Sequence, residues 1–405
     1  MSSNVIIVVL GDIGHSPRMQ YHASSFLKEG YNVDIIGYGD SKPLGYLKSH
    51  ANCQIRILTQ TPQFFKYVPV LIAYFLKILW QVFMLLLSIL RSRPADHLIV
   101  QTPPAIPALF ICWFYCRLVG ANFVIDWHNY AFSILALTHG KGHKLVQMSE
   151  KFEGFFGRRS DGNLCVTRTM KGDLWKRWNF KAVILYDRPP EHFGSITPEE
   201  RQTLMVKYPE LSSQLDESKR PGLLVSSTSW TEDEDFSVLL SALLVYDRSE
   251  DPELPSLLCV ITGKGPLRDH YMRKVAAQDW RRVTVTSLWL EAEDYPRLLA
   301  SADLGVSLHF SSSELDLPMK VVDMMGCGLP VTAYNYRCLG ELVRHKQNGL
   351  VFNNSRELTQ QLQDWFRGFP SVRSGDQFGP ALEEFQSLRW HDNWRLQALP
   401  LFPQQ

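Results

Sequence analysis

The sequence predicts an α/β protein with two doubly wound, Rossmann-like domains that face a cleft. The chain has 405 residues, which is more than one typical hydrophobic core accommodates. Each half of the chain alternates short β-branched or leucine-rich runs with helical stretches. These runs are apolar almost throughout, as strands must be when a parallel sheet is covered on both faces.

Apolar runs in each half predict the strands. In the first domain they comprise residues 5–10, 33–36, 98–101, 123–125, 164–166 and 183–186. In the second domain they comprise residues 223–226, 257–262, 283–286, 304–308, 331–333 and 350–352. Ligands of open parallel sheets bind beyond the carboxyl ends of the strands, so functional residues are expected in the loops that follow these runs.

Composition predicts the domain boundaries. Residues 1–188 form the first predicted domain and residues 221–385 the second. The residues between them, 189–220, are polar and rich in proline and glutamate, which predicts a linker. The aromatic and leucine spacing of residues 386–405 predicts a terminal helix.

Several classes of function have no support in the composition. The net charge of +1 at pH 7 argues against nucleic acid as a partner. Seven cysteines without a CxxC pair predict neither structural disulfides nor a zinc site. No GxSxG or Walker A motif is present, so serine-hydrolase and ATPase chemistry are not indicated. No signal peptide precedes the first apolar run.

Residues 68–90 are strongly apolar and long enough to approach a membrane span. Lys77 lies near the centre, where a charge costs roughly 2.5–3.5 kcal/mol on insertion scales. The polar residues share one helical stripe: Tyr74, Lys77, Gln81 and Ser88. The flanking basic residues are Lys66, Arg91 and Arg93. This pattern favours an amphipathic helix lying in an anionic membrane surface, with a core helix and a true span as alternatives. The shorter apolar run 106–119 is expected to be core.

Two loops of the first domain combine a carboxylate with an imidazole. Asp12 and His15 follow the first predicted strand, in a turn that also suits the start of a helix. Asp126 and His128 follow the strand at residues 123–125. Either pair would deprotonate a sugar hydroxyl. The Asp126 pair is favoured because Trp127 adds an aromatic face beside it, and a loop of satisfied polar groups is the alternative.

The loops of the second domain are polar or contain glycine. Small hydroxyl groups and a lysine suit a phosphate, glycines let the backbone approach a ligand, and an apolar residue would border a base. The candidate binding residues in these loops are Ser227, Thr228, Trp230, Gly263, Lys264, Gly265 and Leu290. The acidic run at residues 232–235 is interpreted as a solvated helix start.

Residues 315–331 predict a loop, a short helix and a strand. Pro318 suits the first turn of the helix and Gly326 its end. The amino end of a helix attracts phosphate through free N–H groups and its dipole. Lys320 adds a charge in that turn, and Asp323 lies one turn further along. A phosphate-binding end and a carboxylate for two hydroxyls suit a sugar nucleotide, with an ordinary surface helix as the alternative.

These motifs resemble those of the chitobiosyldiphosphodolichol β-mannosyltransferases of the endoplasmic reticulum. The matching segments are residues 11–14, 16–22, 126–130, 226–236, 261–268 and 315–323. The resemblance extends over nearly the whole chain. It implies a GT-B fold, GDP-mannose as donor and GlcNAc2-diphosphodolichol as acceptor. It also implies an inverting reaction that forms a β-1,4-mannoside, the first mannose of the N-glycan precursor, at the cytosolic face of the membrane.

On this resemblance, the first domain binds the acceptor and supplies the base, and the second binds GDP-mannose. Lys264, Lys320 and the helix end would stabilise the leaving GDP. A divalent metal is not needed if these groups neutralise the diphosphate, and no cofactor is expected. The wider GT-B group often has glutamate eight residues before the position of Asp323, where this chain has Leu315. The Arg/Lys pair common after the first strand of the nucleotide domain is replaced by Ser227, Thr228 and Trp230.

The expected partners are the two substrates, the membrane surface of the endoplasmic reticulum and other mannosyltransferases of the dolichol pathway. Family members usually begin with a membrane-spanning segment, whereas this sequence begins at the first strand. Either that anchor is absent from the sequence or residues 68–90 provide it. The alternatives to this enzyme are a GT-B enzyme with another nucleotide sugar and a non-catalytic scaffold subunit of the mannosyltransferase complex.

Overall fold

The computed structural model describes residues 2–62, 69–216, 220–232, 234–311 and 313–404. The chain forms two compact units. Unit 1 comprises Met1–Asp187 and Trp390–Gln405, and unit 2 comprises Arg188–Arg389. Each unit is built around a parallel sheet with helices, which confirms the predicted α/β fold class.

Unit 1 contains a parallel sheet. Its strands are β1 (Asn4–Asp12), β2 (Asn32–Tyr38), β3 (Cys53–Ile57), β4 (His97–Thr102), β5 (Asn122–Trp127), β6 (Gly162–Cys165) and β7 (Val183–Ile184). Within the described residues their order is β3-β2-β1-β4-β5-β6-β7. The direction of strand order reverses between β1 and β4, and such a point is where ligands of doubly wound sheets bind.

The strands predicted for the first domain are confirmed, but the sequence analysis missed β3. This strand lies at the edge of the sheet and contains Gln54 and Arg56, which interrupt its apolar pattern. Arg56 donates from Nε to Asp34 Oδ2 on β2 at 3.1 Å. An edge strand has one neighbouring strand and less buried surface, so its sequence carries a weaker apolar signal.

The helices of unit 1 that precede unit 2 are α1 (Pro17–Lys28), α2 (Gly45–Ser49), α3 (Val70–Leu90), α4 (Ala108–Val119), α5 (Ala131–His139), α6 (Lys144–Gly157) and α7 (Arg168–Trp178). The amino end of α1 follows the turn after β1, and α5 follows the loop after β5. These two connections carry the Asp12 and Asp126 loops.

Unit 2 contains the second parallel sheet. Its strands are β8 (Gly222–Ser227), β9 (Leu257–Thr262), β10 (Val283–Leu288), β11 (Leu304–Ser307), β12 (Val331–Tyr334) and β13 (Leu350–Phe352). Among the described residues the order is β10-β9-β8-β11-β12-β13, and every strand predicted for this domain is confirmed. Its helices are α8 (Pro198–Lys207), α9 (Phe236–Asp247), α10 (Arg268–Ala276), α11 (Asp294–Ser301), α12 (Met319–Gly326), α13 (Ser355–Phe366) and α14 (Gly379–Ser387).

The predicted linker, residues 189–220, belongs to unit 2 instead. It contains α8, which packs against α11. Lys207 Nζ lies 2.6 Å from Asp294 Oδ2, and Tyr208 donates to the same oxygen at 2.8 Å. α8 buries only Leu204 and Met205, so the polar composition reflects a mostly exposed helix, which composition alone does not distinguish from a linker.

The end of the chain returns to unit 1. Arg389 is the last residue of unit 2, and α15 (Trp390–Gln397) packs against α1. Trp394 donates from Nε1 to His22 Nδ1 at 2.9 Å, with both side chains buried. The terminal helix is thus shorter than the predicted stretch 386–405, and it completes the core of the first unit.

Few of the described apolar side chains of α3 are buried. Residues Ile72–Leu90 have a mean hydropathy of 2.0 with only 17% of the window buried, so this helix is long and apolar enough to cross a membrane. Leu79, Phe83 and Leu86 are 46%, 57% and 37% exposed, whereas Ser88 of the polar stripe is buried. This arrangement contradicts the core-helix alternative. The predicted flanking residue Lys66 lies outside the described residues.

α4 was expected to be core, but only one of its faces is buried. Cys112 and Cys116 point into unit 1, whereas Phe110, Phe114 and Leu118 are 47%, 46% and 69% exposed. α4 packs beside α3, so the exposed side chains of the two helices form a shared apolar surface. We call this the α3–α4 surface. Exposed apolar area of this kind marks an interaction surface in a folded protein.

Candidate active site

The loop after β8 is held in place by its own side chains. Trp230 has a positive φ of 52° and donates from Nε1 to the carbonyl oxygen of Gly263 at 3.2 Å. Thr228 Oγ1 accepts the backbone N–H of Trp230 at 3.0 Å and donates to Glu234 Oε2 at 2.7 Å. Ser227, Thr228 and Trp230 are all buried. In the structure, these predicted binding residues therefore shape the loop.

The glycines after β9 pack against the same loop. A Cβ atom at Gly263 would lie 1.9 Å from the carbonyl oxygen of Thr228, and one at Gly265 would lie 1.8 Å from that of Ser229. Gly263 also has a φ of +115°, which favours glycine. The structural reason for both glycines is the close approach of two loops, and their approach to a ligand stays a prediction.

Lys264 lies between these glycines and reaches toward the loop after β10. Its Nζ is 3.6 Å from the centroid of the Trp289 ring, which is a cation–π contact. Trp289 is exposed and Leu290 is half-buried. A positive charge and an aromatic face therefore lie together at the carboxyl ends of β9 and β10. This combination is suited to the phosphate and the nucleobase of a nucleotide.

Lys320 lies in the first turn of α12 and is already paired. Its Nζ donates to Ser229 Oγ at 3.1 Å and forms an ion pair with the Glu234 carboxylate. Asp323 lies one turn further along α12 and is half-buried. Burial, and then the charge of Asp323, raise the pKa of Tyr295 on α11. The structure therefore places Lys320 beside the β8 loop and Asp323 beside α11.

Glu234 is a candidate functional residue that the sequence analysis missed. Within the run 232–235, Asp235 caps α9 as expected, whereas the Glu234 side chain turns inward and is 3% exposed. Residue 233 of the run lies outside the described residues. Burial by itself would raise the pKa of Glu234, but His309 and Lys320 lower it to about 2. The carboxylate is thus ionised at neutral pH.

His309 is the second missed residue, two positions after β11. Its Nδ1 lies 3.9 Å from Glu234 Oε1, and its Nε2 lies 3.6 Å from Asp316 Oδ2. Burial would lower the pKa of His309, but the Asp316 and Glu234 carboxylates raise it to about 9. An imidazole just beyond a buried strand is the signal that would have identified it, because His128 follows β5 in the same way.

In unit 1, Asp12 and His15 form an exposed pair. His15 Nδ1 lies 2.6 Å from Asp12 Oδ2, and the His15 side chain is 78% exposed. Asp12 Oδ1 accepts the backbone N–H groups of Gly14 at 3.3 Å and Ser41 at 3.1 Å. Burial would raise the pKa of Asp12, but the bonds from Ser41 and Gly14 and the charge of His15 lower it. An ionised carboxylate therefore supports a solvent-facing imidazole.

Asp126 lies at the end of β5 and is completely buried. Arg18 on α1 donates to both of its oxygens, from Nε at 2.8 Å and Nη2 at 2.9 Å. His22 Nε2 and His128 Nε2 lie 3.2 Å and 3.1 Å from Oδ2. Burial would raise the pKa of Asp126, but Arg18 and the two histidines hold it well below its usual value. Such a carboxylate is a weak base.

The tautomers of the two histidines follow from their partners. Trp394 donates to His22 Nδ1, so the His22 proton lies on Nε2 and points to Asp126. By the same reasoning, His128 donates from Nε2 to Asp126 and has Nδ1 as the nitrogen that would accept a proton. The His128 side chain is 21% exposed and that of Asp126 is 0% exposed. A substrate would therefore reach His128, and Asp126 would orient it.

Known proteins resemble this chain in sequence and in fold. Residues 221–367 match the family model described as "Glycosyl transferases group 1". The human protein named "Chitobiosyldiphosphodolichol beta-mannosyltransferase" is 45% identical, over 98% of this chain and 92% of its own length. The Arabidopsis thaliana protein named "UDP-glycosyltransferase TURAN" is 40% identical, over 98% and 97%.

The chain belongs to the chitobiosyldiphosphodolichol beta-mannosyltransferase family. It is therefore a glycosyltransferase, as the resemblance of its motifs implied. The crystal structure of Anabaena HepE in complex with UDP and glucose superposes with a TM-score of 0.68 at 14% identity, covering 97% of this chain and 98% of that one. This likeness, together with the two parallel sheets, confirms the GT-B fold class.

A bound metal ion is one way in which a protein neutralises a diphosphate. Among residues 2–62, 69–216, 220–232, 234–311 and 313–404, no group of three or more His, Cys, Asp or Glu side chains is arranged to hold a metal ion. The acidic side chains near Lys320 instead pair with Lys320 and His309.

Proposed function

We propose that this chain transfers mannose from GDP-mannose to GlcNAc2-diphosphodolichol with inversion, forming a β-1,4 linkage. The observation that carries this proposal is 45% identity over 98% of the chain to relatives named for this reaction. The acceptor hydroxyl attacks the anomeric carbon, the bond to GDP breaks, and a base takes the hydroxyl proton. The chain must therefore supply a diphosphate site and a base.

The donor is assigned to unit 2. Lys320, in the first turn of α12, would exchange Glu234 for the diphosphate of the donor, aided by the amino end of the helix. Lys264 would add a second positive charge, and Trp289 would lie beside the guanine base of the donor. Charges placed at a leaving group stabilise the transition state, in which the group's negative charge develops. Positively charged side chains would thus supply this stabilisation.

The ribose of the donor is assigned to Asp323. A half-buried carboxylate one turn beyond Lys320 would accept hydrogen bonds from two ribose hydroxyls. We expect Asp323→Ala to weaken GDP binding by about 1.5–3 kcal/mol, the range for hydrogen bonds to a charged group. Calorimetric titration with GDP measures this loss. Unchanged GDP affinity in folded Asp323→Ala protein would remove Asp323 from the donor site.

The acceptor and the base are assigned to unit 1. Two histidines have the required geometry: His128, oriented by the buried Asp126, and His15, paired with Asp12 at the surface. The strand order reverses between β1 and β4, beside the loop of His15, so topology does not favour His128, and Trp127 is buried and does not offer the expected aromatic face. We favour His128 because a fully buried carboxylate orients it and its side chain is 21% exposed, whereas that of His15 is 78% exposed. In this proposal Asp126 and Asp12 are positioning residues and do not themselves take the proton.

The membrane partner is assigned to the α3–α4 surface. Phe83 and Leu86 on α3 and Phe114 on α4 are exposed, and Arg91 and Arg93 follow the end of α3. Apolar side chains next to arginine suit the interface of an anionic bilayer. A lipid-linked acceptor would reach the enzyme there. We therefore propose attachment to the cytosolic face of the endoplasmic reticulum membrane, and a complex with other dolichol-pathway mannosyltransferases stays a prediction.

Replacing Leu79, Phe83 and Leu86 together with serine is expected to release most of the protein from vesicles containing anionic lipid, because it removes apolar area from the lipid-facing side of α3. Vesicle flotation measures the bound fraction. The control carries serine at Val206, Val245 and Val372, which are exposed in unit 2. Equal release of both variants contradicts the assignment. Protease protection of a tag on one flank of α3 would show that the helix spans the bilayer.

The proposed function is tested with purified protein in vesicles, labelled GDP-mannose and GlcNAc2-diphosphate on a lipid. We expect a labelled lipid product from which β-mannosidase, but not α-mannosidase, releases the labelled mannose. The matched assay supplies UDP-sugars, because one relative is named a UDP-glycosyltransferase. Transfer from a UDP-sugar but not from GDP-mannose would favour that second candidate, and release by α-mannosidase would contradict inversion.

A further inference from the structure

Four charged side chains lie together beside the start of α12. Glu234 pairs with Lys320 through Oε1, while its Oε2 accepts Thr228 Oγ1–H at 2.7 Å and the backbone N–H of Ser229 at 2.5 Å. His309 lies 3.9 Å from the same Oε1. Both oxygens of the Glu234 carboxylate therefore contact a cation or a hydrogen-bond donor. The side chain is only 3% exposed to water.

His309 connects Glu234 to a second carboxylate. Its two ring nitrogens face Glu234 Oε1 and Asp316 Oδ2, and Asp316 also accepts a hydrogen bond from Ser311 Oγ. The ring is packed edge-on against Tyr336, with centroids 6.0 Å apart. Both distances are longer than a hydrogen bond but within the range of an ion pair, and a doubly protonated imidazole would carry the positive charge that both carboxylates attract. The pKa of His309, raised to about 9, agrees with this geometry.

The charges of these four side chains balance one another. Glu234 and Asp316 contribute two negative charges, and Lys320 and His309 contribute two positive charges. If Lys320 turned to a phosphate, Glu234 would remain buried, and a buried charge that loses its partner is strongly destabilising. His309 is the group that would still neutralise it. Without a proton on His309, Lys320 would stay on Glu234.

We propose that Glu234 and His309 form a counter-ion pair that releases Lys320 to the diphosphate of a nucleotide donor. In the structure Glu234 holds Lys320 in an ion pair. When the diphosphate binds, Lys320 moves to it, and the protonated His309 becomes the principal partner of Glu234. This inference rests on the proposed function, because it deepens the assignment of the donor to unit 2. Glu234 and His309 are positioning residues that act through Lys320.

The test is a double-mutant cycle on GDP binding, measured by calorimetry at pH 7.5 with the full chain. His309→Gln is expected to weaken GDP binding at least tenfold, because Lys320 is then retained by Glu234. Glu234→Gln removes the carboxylate that competes for Lys320, so GDP should bind at least as tightly as to the wild-type protein. The double variant should regain at least a tenfold tighter affinity than His309→Gln alone, and a merely structural role of His309 would not be rescued in this way.

The matched control is Glu232→Gln, which removes an exposed carboxylate from the same acidic run. It should leave GDP affinity unchanged. Circular dichroism and thermal melting of each variant establish that it is folded. A tenfold loss in folded Glu234→Gln protein would overturn the inference, because Glu234 would then contact the nucleotide directly. A double variant no better than His309→Gln would also overturn it.

The pH dependence provides a second measurement that requires no variant to fold. By NMR of ring-labelled histidine, His309 should be protonated at pH 7.5 and should titrate at higher pH when GDP is bound, because Lys320 no longer shares Glu234. The charged groups facing it are Glu234, Asp316 and Lys320, with Tyr336 packed on the ring. A neutral His309 at pH 7.5, or a titration that moves to lower pH with GDP, would overturn the inference.

Failure of the proposed function and failure of the counter-ion pair are distinguished with a second nucleotide. The same cycle is measured with UDP. If the wild-type protein binds UDP but not GDP, the proposed donor is wrong, while rescue of UDP binding in the double variant would still support the counter-ion pair. If neither nucleotide binds, both the donor assignment and the counter-ion pair are overturned.

Discussion

Replacing His128 with alanine is expected to lower mannosyl transfer by about 10²–10⁴-fold at saturating GDP-mannose, the usual effect of losing a general base. Asp126 fixes Nε2 of His128 at 3.1 Å, so Nδ1 is the atom that would take the acceptor proton. Single-turnover measurement of labelled lipid product gives the chemical step. GDP affinity, measured separately, should stay within threefold of wild type, because the donor is assigned to unit 2.

His15→Ala is the matched comparison, since His15 is also an imidazole supported by a carboxylate. We expect its turnover to fall less than tenfold. If His15→Ala abolishes turnover while His128→Ala does not, the loop after β1 carries the base. Asp126→Asn does not decide between them, because it also weakens the buried pair with Arg18 and would lower activity through folding. The histidine variants leave that ion pair in place.

Arg18→Met is expected to destabilise the protein by about 3–5 kcal/mol, the usual cost of removing one partner of a buried ion pair. Arg18 is 1% exposed and neutralises Asp126 and Asp187, which lies 2.7 Å from Nη1. Without it, two carboxylates keep their burial but lose their main cation. Urea unfolding followed by circular dichroism measures the loss. Arg18→Lys should recover only part of it, because an ammonium group does not bridge both carboxylates as the guanidinium does.

The control for Arg18 is Arg117→Met, which breaks an ion pair with Asp161 whose side chains are 52% and 35% exposed. An exposed pair of this kind contributes at most about 1 kcal/mol. If Arg18→Met costs no more than Arg117→Met, the buried network is not important for stability. Restoration by Asp126→Asn in the Arg18→Met background would show that the unpaired carboxylate causes the loss.

Much of the fold could be predicted because the parallel strands are buried on both faces. β1 consists of Val, Ile and Leu from Val5 to Leu10, and β9 consists of Leu, Cys, Val and Ile up to Thr262, so their apolar signal is continuous. β3 does not give this signal, since an edge strand accommodates Gln54 and Arg56. The linker prediction failed for a related reason. α8 buries only Leu204 and Met205 and is also held by Lys207 and Tyr208 on Asp294, so its sequence has little apolar periodicity.

Residues of the candidate site could be predicted only where their position next to a strand or helix end marks them. Lys320, Asp126 and His128 could be found because each lies at a strand end or a helix start. The Arg18–Asp126 pair joins residues 108 positions apart, and the sequence contains no signal for that pairing. Gly263 illustrates a different limit. A glycine indicates close approach, but the sequence does not show that the approaching group is the carbonyl of Thr228.

The return of α15 to unit 1 has a consequence for biosynthesis. Unit 2 is encoded entirely between Arg188 and Arg389, so the ribosome completes its chain before it makes Trp390–Gln405. Domains generally fold during synthesis in the order in which they emerge. Here the first unit to appear still lacks Trp394, the hydrogen-bond donor to His22, when the second is complete. A nascent chain released before Trp390 would therefore contain all of unit 2 but an incomplete unit 1.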